Sequence, residues 1–267
     1  MSTMPAVAVI GFGAVGRGMQ QLFPEATIYD EPLGIGTRDD VNRCAVAFVC
    51  VPTPAGPDGR CDTSIVEDVV DWLDCPTIVL RSTVPPGTTE RLAERTGKRI
   101  VFQPEYGPGE TPDHPYADPR AVRWVILGGR RAWTRPVRDL YRRVFNSDLV
   151  LRQTDARTAE LTKYMENAFL ALKVAFCNEF YDLAERAGVD YDELRELWLL
   201  DPRMGRSHTW VHPDERGFGG KCLPKDLEAL VHFGTERGEA LTLLRAVLAS
   251  NEAVRGRSAA IAGRRGP

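Results

Sequence analysis

AVAVIGFGAVG, residues Ala6 to Gly16, runs from a short apolar stretch through a glycine-rich turn into a helical pattern. The apolar stretch reads as a strand buried in a sheet. Gly11, Phe12, Gly13, Ala14, Val15 and Gly16 then complete G-x-G-x-x-G between strand and helix. Gly11 permits the tight turn, Gly13 lets the backbone approach a pyrophosphate, and Gly16 lets the helix pack closely. The helix N-terminus attracts phosphate charge. An ordinary strand-to-helix turn is the competing reading, since glycine-rich turns are common. The second strand, TIYD from Thr27, ends in Asp30, about where an acidic residue binds ribose hydroxyls. A carboxylate there repels a 2′-phosphate, so NAD is expected over NADP. The alternative for Asp30 is an exposed turn residue.

Working outward, AVAFVCV from Ala45, TIVLRST from Thr77, RIVFQP from Arg99 and AVRWVILGG from Ala121 continue the strand series. Strands alternating with helices or loops predict a doubly wound parallel sheet. Pro52, Pro54, Pro85 and Pro86 punctuate the expected carboxyl edge, where open α/β sheets bind ligands. The character changes near Leu151. A helical pattern without internal Pro or Gly runs from Thr154 toward Gly188, with Thr154 or Asp155 to cap it and Gly188 to end it. At 1.5 Å per residue it spans on the order of 50 Å, long enough to pack against a second subunit. Its apolar residues include Leu161, Met165, Ala168, Leu172, Ala175, Phe176 and Leu183. A helix from about Tyr191 to Leu200 follows, then an irregular stretch, then two helical patterns up to about Asn251. The expected class is α/β: an N-terminal Rossmann doubly wound parallel sheet over 1–152, an all-α domain with one long central helix over 153–255, and a basic, frayed tail over 256–267.

The chain has 267 residues, 43% hydrophobic and 27% charged, the proportions of a globular protein with a real core. A net charge of -3 shows no polybasic excess, which argues against nucleic acid or an anionic membrane as the main partner. No run of 18 apolar residues predicts a membrane span, and Met1 to Ala6 lacks signal-peptide regions. Cys44, Cys50, Cys61, Cys75, Cys177 and Cys222 lie far apart, without paired zinc spacing. Free thiols, no metal site and a cytoplasmic location are therefore expected.

Three segments carry chemistry. Lys163 and Asn167 stand four apart on the long helix and share a face, able to bind a hydroxyl and hold a water, or to be a solvated surface pair. GFGGKCLPKD (Gly217–Asp226) places Pro224 in the first turn of a helix and Cys222 just before it. The dipole end and the nearby lysines favour thiolate there, whereas a buried structural thiol is the commoner fate of a cysteine. Asp226 falls in the first turn, where it also reads as a helix-capping charge. Glu105, in Gln103-Pro104-Glu105, projects from the end of the fifth strand toward a ligand or sits in a surface loop.

Together these residues resemble the UDP-glucose/GDP-mannose dehydrogenase family. The markers are GFGAVG, VCVPTP (Val49–Pro54), RSTVPPGT (Arg81–Thr88), QPEY, the KYMEN helix, DPRMG (Asp201–Gly205) and GFGGKCLPKD, in order along nearly the whole chain. The resemblance implies oxidation of a primary alcohol through an aldehyde to a carboxylate, with two NAD reduced. It implies Cys222 as nucleophile, Lys163 and Asp226 as the pair that positions water and stabilises oxyanion charge, and Asn167 as the substrate-holding amide. Glu105, with Thr83 beside it, is implied to assist hydrolysis, and Arg203 to reach the substrate of the neighbouring subunit. Gly219 and Lys225 complete the implied substrate set. Val51, Pro52, Thr53, Ser82 and Thr83 resemble NAD contacts, and a homodimer through the long helix is expected.

The sequence departs from the family pattern. The chain stops after the helices that lead to the family's third domain, which grips the nucleotide. Gln103 stands where Asn is usual, and Tyr106-Gly107-Pro108-Gly109-Glu110 replaces a loop like F-L-x-E-G, so the second carboxylate is lost at Gly109 or shifted to Glu110. SHTWVHPDERG (Ser207–Gly217) is longer than usual and carries His208 and His212, which contact the substrate or are surface residues. An unusual or smaller substrate, or a nucleotide held across a dimer interface, follows. A single-hydride β-hydroxyacid-type dehydrogenase and a non-catalytic NAD-binding remnant are the competing readings. The former also carries a Lys four residues before an Asn but lacks the Cys222 segment.

Overall fold

The computed structural model describes residues 4–107, 115–145 and 148–264; Gly109 and Glu110 lie outside the described residues. It divides into two compact units, Met1–Gly56 with Cys61–Lys163, and Tyr164–Pro267 with Pro57–Arg60.

The first unit is a seven-stranded sheet in the order β2-β1-β3-β4-β5-β6-β7. Its strands are β1 Val7–Ile10, β2 Thr27–Tyr29, β3 Val46–Val49, β4 Thr77–Leu80, β5 Ile100–Phe102, β6 Trp124–Gly128 and β7 Val150–Thr154. The helices between them are α1 Ala14–Leu22, α2 Arg38–Asn42, α3 Ser64–Trp72, α4 Thr88–Thr96 and α5 Arg131–Val144. Strand alternation sends Ala8 and Ile10 into one core with Val41, Val66, Val70 and Leu92. Val7 and Val9 enter the opposite core with Met19, Leu22, Leu140 and Tyr141. Each buried Val, Leu, Ile or Met among them contributes roughly 1.5–3 kcal/mol.

β1 to β5 are parallel, as the alternation predicts. β6 runs antiparallel to β5 through Phe102 and Gly128, and β7 is parallel to β6. The described residues between β5 and β6 hold only a 3-10 turn, Pro119–Ala121, rather than a crossover helix. A parallel neighbour needs such a crossover. β7 is a seventh strand, added to the six that the sequence pattern predicts before the long helix.

The long helix, α6, runs Ala156–Ala187, 32 residues or about 48 Å. Asp155 caps it, accepting from the Thr158 N–H at 2.8 Å and the Thr158 hydroxyl at 2.7 Å. Gly188, at φ +69, ends it, and the Val189 N–H turns back to the Ala184 carbonyl.

The second unit continues with α7 Tyr191–Trp198, α8 Leu223–Thr235 and α9 Thr242–Arg264. α7 stops two residues before Leu200, and α9 continues past Asn251, where the sequence pattern put its end. Its core joins Ala171, Val174, Phe218, Leu227 and Val247. A second cluster packs Cys177, Ala184, Tyr191 and Val211. Met165, Phe169, Phe176, Phe180 and Leu183 stay exposed on one face of α6. Among the described residues, no helix is long and apolar enough to cross a membrane.

Candidate active site

In the first unit the glycine turn is built as its sequence requires. Gly11 sits at φ +89, and a Cβ there would lie 2.7 Å from the Cys50 carbonyl oxygen. A Cβ on Gly16 would lie 2.0 Å from the Gly11 oxygen, so only glycine lets α1 start this close to β1. Gly13 is the N-cap of α1 and supplies no side-chain cap. The first N–H groups of the helix are thus left for water or an anion. Asp30 accepts the Phe12 N–H on Oδ2 at 2.6 Å and the Leu33 N–H on Oδ1 at 3.0 Å. One further lone pair per oxygen then suits the two hydroxyls of a ribose. Asp30 is therefore part of the glycine turn, not a loose surface residue. This donor and acceptor set fits a dinucleotide.

The ends of β3 and β4 are stitched together. The Thr53 hydroxyl donates to the Thr83 carbonyl at 2.8 Å, and the Ser82 hydroxyl to the Val51 carbonyl at 2.6 Å. Thr53 and Ser82 are buried, Val51 lines the core and Pro52 is exposed. Both hydroxyls thus hold the edge in shape.

Glu105 turns back onto the protein. Its Oε2 accepts from Arg81 at 2.5 Å, and its Oε1 accepts the Gly107 N–H. Both side chains of the ion pair are largely buried, 11% and 16% exposed. Burial tends to discharge the Arg81 guanidinium, but Glu105 and the neighbouring Tyr141 and Cys50 outweigh it and hold its pKa above the usual arginine value. The Cys50 thiol is pushed up to about 12, by burial first. Gln103 bonds the Tyr141 hydroxyl at 2.7 Å, so it faces the core rather than a ligand. A cavity of about 210 Å³ opens here, lined among others by Ala14, Arg81, Glu105, Tyr106, Trp124 and Tyr141. Lys163 lies half-buried with its ammonium 5.3 Å from the Tyr106 ring centroid, a cation–π contact.

In the second unit, the GFGGKCLPKD segment forms the start of α8. Cys222 is the exposed N-cap and Pro224 sits in the first turn, as its sequence implies. Asp226 is 2% exposed and is more than a capping charge. It accepts from the buried Asn167 amide at 2.6 Å and from Lys225 at 2.5 Å. Cys222, Lys225, Asp226 and Asn167 are thus brought together, while Lys163, Glu105 and Thr83 belong to the first unit.

Two residues missed in the sequence hold the glycine segment. Asn251, buried on α9, accepts the Phe218 N–H at 2.7 Å and donates to the Phe218 carbonyl at 2.9 Å. Asn178 on α6 accepts from Arg216 at 2.8 Å and from the Gly217 N–H at 3.2 Å. The Arg255 guanidinium covers Gly219, 2.6 Å from where a Cβ would stand. Arg203 is exposed and bidentate on Asp201, and Lys173 anchors the same loop through the Met204 and Gly205 carbonyls. His212 is exposed, and His208 sits at φ +61 with Nδ1 2.5 Å from the Ser207 hydroxyl. Among the described residues, no cluster of three or more His, Cys, Asp and Glu could hold a metal ion.

Residues 17–144 match the NAD binding domain of the UDP-glucose/GDP-mannose dehydrogenase family, and residues 157–253 match its central domain. The chain is 34% identical over 224 residues to the UDP-glucose 6-dehydrogenase of Pseudomonas aeruginosa, covering 77% of this chain and 48% of that protein. It is 31% identical over 228 residues to the putative UDP-glucose 6-dehydrogenase YtcA of Bacillus subtilis, covering 80% and 52%. The chain thus spans about half the length of the curated relatives it matches. Among solved structures it is similar to a UDP-glucose dehydrogenase from Pyrobaculum islandicum, with TM-score 0.80 and 27% identity over 94% of this chain and 69% of that one. It is also similar to a UDP-D-ManNAc dehydrogenase from Pyrococcus horikoshii, with TM-score 0.78 and 27% identity over 97% and 70%.

Proposed function

The chain belongs to the UDP-glucose/GDP-mannose dehydrogenase family, and from that premise we propose that it oxidises a primary alcohol to a carboxylate with NAD. The alcohol is that of a sugar nucleotide, or of a related sugar or nucleoside. The observation that carries the reading is Cys222, exposed at the N-cap of α8, with Asp226, Lys225 and Asn167 in one hydrogen-bonded group at that helix start.

Loss of a hydride from the alcohol carbon and of the hydroxyl proton gives an aldehyde. The Cys222 thiolate adds to the aldehyde carbon and forms a thiohemiacetal. Loss of a second hydride leaves a thioester, which water hydrolyses to the carboxylate, returning the thiolate. NAD, when bound, takes up both hydrides, one per molecule. Lys163 and Asp226 hold water and stabilise oxyanion charge. Asn167 orients the substrate hydroxyl. Gly219 and Lys225 border the substrate, and Arg203 reaches the substrate of a second copy. Glu105, fixed by Arg81 and Gly107, assists hydrolysis beside Thr83. Gly11 to Gly16, Asp30 and the strand-end residues Val51 to Thr53, Ser82 and Thr83 hold the cofactor. The exposed Met165, Phe169, Phe176, Phe180 and Leu183 stripe supports a homodimer through α6. Six cysteines far apart in sequence, without paired spacing, fit a cytoplasmic enzyme.

The test is product stoichiometry on UDP-glucose and a panel of nucleotide sugars, nucleosides and sugar alcohols. Two NADH per carboxylate are expected, and Cys222→Ala should form no acid. One NADH per substrate would replace this reading with a single hydride transfer. Unchanged acid from Cys222→Ala would end the assignment of the cysteine.

A further inference from the structure

Glu160 is fully buried one turn before Lys163 on α6, and the mechanism above gives it no part. Its carboxylate reaches a segment more than 70 residues away in sequence. Oε2 accepts the Gly87 N–H at 2.5 Å. Oε1 accepts the Thr89 N–H at 2.8 Å and the Thr89 hydroxyl at 2.6 Å. These groups form the start of α4, whose N-cap, Gly87 at φ +97, has no side chain to cap it. Glu160 therefore caps α4 from another helix, against the positive end of its dipole. Arg157, three residues earlier on α6, pairs with Glu90 of α4 at 2.6 Å. The Thr88 hydroxyl closes the Pro85 carbonyl at 2.7 Å, making the turn that leads back to Thr83 compact.

Three donors on one buried carboxylate make a directional joint, not a greasy contact. One side of the joint carries Lys163, three residues on and on the same side of the helix. The other carries the RSTVPPGT turn with Ser82 and Thr83. We propose that Glu160 is a positioning residue that sets the Lys163 ammonium relative to the Thr83 strand end. The inference rests on the reading in which Lys163 serves the chemistry.

The experiment has two arms on the full chain. In the first, Lys163 is reductively methylated with formaldehyde and cyanoborohydride, and its rate is followed by mass spectrometry against Lys98 as an internal reference. Glu160→Gln, or Thr89→Val if the former fails to fold, should change the Lys163 rate by roughly threefold or more and leave Lys98 alone. Equal relative rates in a folded variant would overturn the proposal, because a purely structural joint alters melting temperature without altering one amine. In the second arm, NADH formation from UDP-glucose is compared for wild type, Lys163→Met and Glu160→Gln. A loss of about tenfold or more in kcat for both, with the NAD KM held, supports the proposal. Loss in Lys163→Met with full kcat in Glu160→Gln overturns it and spares the reading of Lys163. Full kcat in Lys163→Met removes that reading itself.

Discussion

The Asn167 amide donates to the Asp226 carboxylate across 2.6 Å, and both groups are buried. Lys225 supplies the second donor at 2.5 Å. Asp226→Ala would leave a buried amide without its acceptor and a lysine without its partner. The expected cost is about 1–3 kcal/mol, seen as a melting temperature several degrees lower. Asp226→Asn keeps the shape and should melt closer to wild type, yet still lose acid formation under the proposed mechanism. A melting temperature unmoved by Asp226→Ala would contradict the buried network.

Asp30 ties the glycine turn through Phe12 and the following loop through Leu33. Asp30→Ala should raise the KM for NAD by about tenfold or more, the equivalent of one lost charge-assisted pair. It should also narrow the preference for NAD over NADP, since a repelling carboxylate is gone. Initial-rate kinetics with both cofactors checks this, and an unchanged NAD KM would remove Asp30 from the site.

Burial raises the Glu160 pKa from an ordinary 4.5 to about 7, although hydrogen bonds from Thr89 and Gly87 pull the other way. Folding thus favours the protonated carboxyl. Its stabilising contribution is complete below the ordinary carboxyl value and is lost as pH rises through the folded value. The window runs from about pH 4.5 to about 7, with a ceiling on the order of 3 kcal/mol. Urea unfolding of wild type and Glu160→Gln across that window should give a stability difference, wild type minus variant, that falls with pH. A flat difference refutes the assignment of the slope to Glu160.

Thiol chemistry offers a check on the cysteine assignment. Cys222 is exposed, whereas Cys44, Cys75 and Cys177 are buried, and burial pushes Cys50 and Cys75 to about 12. Brief alkylation of the native chain near pH 8 should mark Cys222 first and spare Cys50 and Cys75 until denaturant is added. Peptide mapping that finds Cys50 modified before Cys222 would refute this order.

What could be read from the sequence was local. Asp155 and Gly188 announce the ends of α6 because caps and stops act within a turn of their own position. Gly11, Gly16 and Asp30 were readable because the turn and its acid lie within one strand-helix-strand unit. β7 is not legible because its VLRQT segment is exposed or half-buried throughout, without an apolar run. The reversal of β6 depends on how the chain returns to the sheet, which hydrophobic pattern does not encode. In sequence Asp226 reads as a cap charge because its decisive partner, Asn167, lies 59 positions away. Glu160, Asn178 and Asn251 were illegible for the same reason: a polar residue on a helix gains its meaning from a distant backbone.

The Thr53 and Ser82 hydroxyls latch one strand end to the next. The rim that would greet a nucleotide is therefore held by the chain's own hydrogen bonds, and an arriving ligand has little slack to take up. In a titration calorimeter, association should show a heat-capacity change matching only the apolar area the ligand covers, without the extra signature of loops folding around it.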